Sequence, residues 1–103
     1  MQEVYKRVVP VSAWSSYLCS AVETIAHKSY KNRYVEAGFK AGYEIHKNSK
    51  EPWNSMVSFD IHAPEDADSG MIKGLKDHLD DSFALWSKRE VEKRERATHI
   101  TQR

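Results

Sequence analysis

Tyr34-Val35-Glu36-Ala37-Gly38-Phe39-Lys40-Ala41-Gly42-Tyr43-Glu44-Ile45 is the stretch on which the fold turns. Read at a period of 3.6, Tyr34, Val35, Gly38, Phe39, Gly42 and Ile45 share one stripe, and Arg33, Glu36, Lys40, Glu44 and Lys47 lie opposite. That spacing predicts an amphipathic helix. Glu36–Lys40 and Lys40–Glu44 are four apart, the separation at which opposite charges support a helix. Each glycine inside a helix costs about 1 kcal/mol against alanine. Two glycines on the apolar stripe therefore imply close approach of another backbone. Gly70 and Gly74 repeat the spacing and complete the chain's four glycines. The expectation is two glycine-bearing helices that pack on each other, or on a second copy as a homo-oligomer.

Working outward, residues 3–11 contain Val4, Tyr5, Val8 and Val9 ahead of Pro10, which predicts a short edge strand. Ser12 is placed to cap a helix. Trp14, Tyr17, Leu18, Ala21, Val22, Ile25 and Ala26 follow at core-facing helical spacing. After the central stretch, Pro52 closes a loop and Trp53-Asn54-Ser55 reads as a turn. Met56 to His62 then alternates strictly: Val57, Phe59 and Ile61 face one way, and Met56, Ser58, Asp60 and His62 the other. That is a half-buried strand. From about Gly70 a further helix presents Met71, Leu75, His78, Leu79, Ser82, Leu85 and Trp86 on one side. Its apolar stripe gives way at Lys88 to a run of charges ending in a polar tail. The fold class expected is α+β and mostly helical, with three helices and a two-stranded β-ribbon. Residues 1–87 form the compact domain and 88–103 a charged helical extension.

The 103 residues suffice for one domain with one small core. No apolar run approaches the roughly 18 residues of a membrane span. With no secretory signal and a single cysteine, a reducing, cytoplasmic setting is expected. The net charge of +1 hides segregation. Residues 1–50 carry eight Lys/Arg against four acids, 51–87 two against eight, and 88–103 six against three. Such blocks steer or select partners.

Phosphate loops, dinucleotide fingerprints, paired cysteines and zinc-protease motifs are all missing from the sequence, so no cofactor is expected. Asp60 and His62 on one strand face, with His78 and Asp81 a helical turn apart, form a candidate divalent-metal set. Cys19 reads as a small, partly buried apolar residue, because a nucleophile needs a neighbouring base. Lys28, Tyr30, Lys31 and Arg33 interleave cations with rings, the pattern by which single-stranded nucleic acid is held. In the extension, Lys88, Arg89, Lys93, Arg94 and Arg96 have few apolar neighbours to pack on, which marks them as partner-binding residues.

Glu36-Ala37-Gly38-Phe39-Lys40-Ala41-Gly42-Tyr43-Glu44 is similar to the glycine-containing helices of small accessory proteins of tailed bacteriophages. The resemblance implies a short, non-enzymatic protein of the host cytoplasm that binds a host or phage macromolecule. It assigns no role to any residue. The function expected first is thus a small regulator or inhibitor acting by surface occupation on a protein partner, with no membrane involved. A nucleic-acid binder, through residues 28–34 and the basic C-terminal helix, is the alternative. A metal-dependent enzyme is the second.

Overall fold

The computed structural model describes residues 1–28 and 32–101, with side chains described through Glu95. Three strands, β1 (Gln2–Pro10), β2 (Lys40–His46) and β3 (Met56–Ala63), form one antiparallel sheet in the order β1-β3-β2. Helices cover one face of it. The first helical rod comprises α1 (Val11–Ala13), a π segment (Trp14–Leu18) and α2 (Cys19–His27). A short α3 (Arg33–Glu36) precedes β2, a 3-10 turn (Pro52–Asn54) precedes β3, and α4 (Ser69–Thr101) ends the described chain.

The α+β class is observed, but the expected two-stranded ribbon is a three-stranded sheet. The added strand comes from the stretch expected to be helix. Its helical part is only α3, closed at both ends by its own chemistry. The Asn32 side chain accepts from the Val35 N–H at 2.8 Å, capping the first turn. At the other end the Gly38 N–H donates to Val35 O at 3.1 Å and the Phe39 N–H to Tyr34 O at 3.0 Å. Tyr34 and Phe39 pack with ring centroids 5.6 Å apart. This is a glycine-terminated helix end with its accompanying hydrophobic contact. Gly38 supplies the left-handed conformation, at φ +87°. From Phe39 on, the period is two: Phe39 is buried and Ala41 and Tyr43 half-buried toward the helices, while Lys40, Gly42, Glu44 and His46 face away.

The glycines therefore do not line two helices packed on each other. Gly42 lies on a strand, Gly38 at a helix end, and only Gly70 and Gly74 on α4. A Cβ at Gly38 would meet Pro64 Cγ at 3.2 Å on a backbone that side chains rarely adopt. Gly38→Ala should destabilise by about 1–2 kcal/mol. Urea unfolding checks this, and an unchanged midpoint would show that the turn does not need glycine.

Residues 56–63 alternate as their sequence predicts: Val57, Phe59, Ile61 and Ala63 are buried, and Met56, Ser58, Asp60 and His62 are half-exposed. As the central strand, β3 sets the core. Trp14 rests on Tyr43 and Phe59, with centroids at 5.0 and 5.6 Å. Leu18, Val22 and Ile25 continue the buried line along the rod. Ser12 does not cap it; Pro10 occupies that position, and no side-chain cap is made. In the π segment the Cys19 N–H donates to Trp14 O, a wider i→i+5 bond. Exposed Ser15 and Ser16 lie on its wet side.

On α4, Leu75 and Leu79 are buried, with Met71, Ile72, Phe83 and Trp86 packed against the core. Asp80 fastens the helix to β1. Its Oδ1 accepts from the Tyr5 hydroxyl at 2.7 Å and from Arg7 Nη1 at 3.1 Å, and Arg7 lies 4.0 Å over the Phe83 ring. Burial, partly offset by Arg7, holds the Tyr5 phenol above its ordinary value of 10.0.

Candidate functional site

Among the described residues, the outer face of the sheet and the far end of α4 are left uncovered by other elements.

The outer face is polar. Cross-strand register sets Glu3 beside His62, Lys6 beside Asp60 and Val8 beside Ser58 on the β1 side. On the β2 side Lys40 pairs with His62, Gly42 with Asp60 and Glu44 with Ser58. Strict alternation would put Glu3 on the covered face with Tyr5, Arg7 and Val9. A register shift between Glu3 and Tyr5 adds one residue to β1 and transfers Glu3 to the outer face. There Glu3, Asp60 and His62 converge, with one donor atom from each within 4.8 Å of the others. His62 Nε2 and Asp60 Oδ2 are 2.9 Å apart. Beside Asp60 the sheet dips, because Gly42 has no side chain to fill the place next to it. A Cβ there would lie 3.2 Å from Asp60 Oδ1. The resulting open depression, about 320 Å³, is lined by Lys6, Gly42, Glu44, Ser58 and Asp60 among others.

Of the expected metal set, Asp60 and His62 are together, and His78 and Asp81 are not. Both of the latter are exposed on α4, which packs against the covered face of the sheet. One helix and the opposite face of a sheet cannot share one ion. Sequence reasoning missed Glu3, since its position in the alternation points to the wrong face and nothing local announces the bulge.

The second surface is the end of α4. The stripe that buries Leu75 and Leu79 and half-buries Phe83 and Trp86 continues as Glu90 and Lys93, so the body-facing side of the helix turns charged. At 1.5 Å per residue the helix beyond Trp86 extends for about 22 Å, and the molecule measures 58 Å along its longest axis. Lys88, Arg89, Lys93 and Arg94 are exposed; Lys93 lies 4.0 Å from Glu90, and the other three form no ion pair among the described residues. Leu85, at 43% exposure, lines a shallow groove with Lys88, Arg89, Glu92 and Lys93, and Val91 is 51% exposed. Arg96 lies in the helix, with its side chain outside the described residues.

The basic-aromatic stretch is only partly described. Tyr30 and Lys31 lie outside the described residues. Lys28 is exposed and ends α2 at φ 53°. Arg33 is engaged locally, stacked over the Tyr34 ring at 4.9 Å and donating to its hydroxyl at 2.8 Å. Cys19 is half-buried with its thiol directed to Ser15 O, and the nearest histidine in sequence, His27, is bonded to the Tyr43 hydroxyl at 3.0 Å. That arrangement gives no nucleophile–base pair. Trp53, read from sequence only as part of a turn, is 70% exposed. No helix of the described chain is long and apolar enough to cross a membrane.

Comparison with protein-family models, curated proteins and solved structures returns no match.

Proposed function

We propose that this chain is a small binding protein that engages an acidic protein surface through the projecting end of α4. One observation carries the reading: the apolar stripe of α4 stops at Trp86 while the helix continues with exposed cations around Leu85 and Val91. A long solvent-exposed helix gains little from its own surface pairs, each worth a few tenths of a kcal/mol. Leu85 and Val91 with the aliphatic stems of the surrounding cations would supply the apolar contact of a helix docked in a partner's groove, and the cations its rim. The wider expectation of a phage-type regulator or inhibitor acting on a host macromolecule stays part of this proposal, with the arm as the element that would make the contact.

Deleting residues 90–103 should shift the melting temperature by no more than about 2 °C, since little apolar area leaves the core. The same deletion should abolish capture of the partner from nuclease-treated lysate. Reversing charge at Lys93 and Arg94 should weaken capture and flatten its salt dependence. A truncated chain that no longer folds, or that captures the same protein as well as the full chain, would overturn the arm as a binding element. Capture that disappears with nuclease treatment would move the reading to nucleic acid.

A further inference from the structure

We infer that Glu3, Asp60 and His62 form a binding site for a divalent first-row transition ion on the outer face of the sheet. The site is independent of the α4 arm, from which the sheet separates it.

An ordinary surface ion pair accounts for His62 and Asp60, two residues apart on the same face of β3. It does not account for Glu3. That carboxylate reaches the pair only because β1 carries an extra residue between Glu3 and Tyr5, and bulges of this kind re-aim side chains beside functional sites. The result is one imidazole nitrogen and two carboxylates converging from two adjacent strands. Nitrogen with oxygen donors suits Zn²⁺, Co²⁺ or Mn²⁺ better than the all-oxygen shells of Ca²⁺ or Mg²⁺.

The distances are compatible with an ion. Two bonds of about 2.1 Å at a tetrahedral angle hold their donors about 3.4 Å apart. The 2.9 Å between His62 Nε2 and Asp60 Oδ2 therefore widens slightly when a metal replaces the shared proton. Glu3 is exposed and free to close the remaining gap by side-chain rotation alone. Three protein ligands leave further coordination positions for water or substrate, as in catalytic rather than structural sites. They open beside the Gly42 depression, whose lining includes the cation Lys6.

The test uses full-length, tag-free protein stripped with chelator. Zn²⁺ titrated by calorimetry should bind at one site per chain. Glu3→Gln, Asp60→Asn and His62→Ala should each weaken binding at least ~10-fold, the scale of loss even for groups one shell further out. His78→Ala should change nothing. Because a variant can fail for other reasons, Mn²⁺ added to the wild-type protein gives a second readout. Its paramagnetic broadening should centre on the amide signals of residues 3, 60 and 62. Absence of binding, binding unaffected by the three substitutions, or broadening centred elsewhere would each overturn the assignment.

Discussion

Replacing Trp14 with alanine should remove about 3–5 kcal/mol of stability, the range for deleting a buried aromatic side chain. Trp14 is 4% exposed and wedged between Tyr43 of β2 and Phe59 of β3. Alanine would leave a void that two strands and a helix all border, and none can close it without breaking register. A domain of this size loses about 4–8 °C per kcal/mol, so the melting temperature should fall by at least ~12 °C. Trp14→Phe keeps a ring in the same place and should cost much less. A loss below about 1 kcal/mol on Trp14→Ala, measured by urea unfolding, would mean that the ring is not seated there.

Leu79→Asp should abolish cooperative unfolding altogether. Leu79 is 1% exposed, on the half of α4 that lies against the body. Aspartate there gives up the leucine's burial and asks an apolar site to hold a charge with no partner. Together these reach several kcal/mol, against the 5–15 kcal/mol that typically holds a whole domain. Leu85→Asp, six residues onward at 43% exposure, should be nearly neutral. The pair separates the body-facing side of α4, which runs on through Phe83 and Trp86, from its exposed side. Far-ultraviolet circular dichroism with thermal melts distinguishes the outcomes. Equal behaviour of the two variants would mean that α4 does not bury the side carrying Leu79 against the body.

Where one side of an element is buried over its whole length, its sequence shows it. Val57, Phe59 and Ile61 alternate without exception, and Trp14, Leu18, Val22 and Ile25 keep helical spacing, so both elements and their buried faces are legible. Residues 34–45 are not, because their apolar positions satisfy two periods at once. Phe39, Ala41, Tyr43 and Ile45 alternate as a strand does, yet Tyr34, Val35, Phe39 and Ile45 also share a helical stripe. The four-residue spacing of Glu36, Lys40 and Glu44 favours helix, but Lys40 and Glu44 lie on the same face of a strand as well. The deciding signal is Gly38. As an interior residue it is a cost; as the residue after a helix end it is the commonest choice. The candidate metal site is half legible. Asp60 and His62 follow from alternation, whereas Glu3 depends on a bulge that arises from pairing with β3 and leaves no mark in β1 itself. His78 joins them by residue type alone, and sequence spacing carries no information on which side of the sheet a later helix packs.

The π segment bears on how this chain can vary in length. Between Trp14 and Leu18 the backbone is wound one residue looser than an α-helix. Loss of Ser15 or Ser16 would bring those two core residues to i and i+3, still neighbours on one helical face. The helix could then tighten to ordinary winding without turning either side chain out of the core or moving the strands on either side. An indel is thus absorbed locally by a change of pitch. Divergent versions of this sequence should carry their single-residue gap here, at two exposed serines. Any search pattern with fixed spacing across residues 14–18 would lose register at that point while the fold stayed the same.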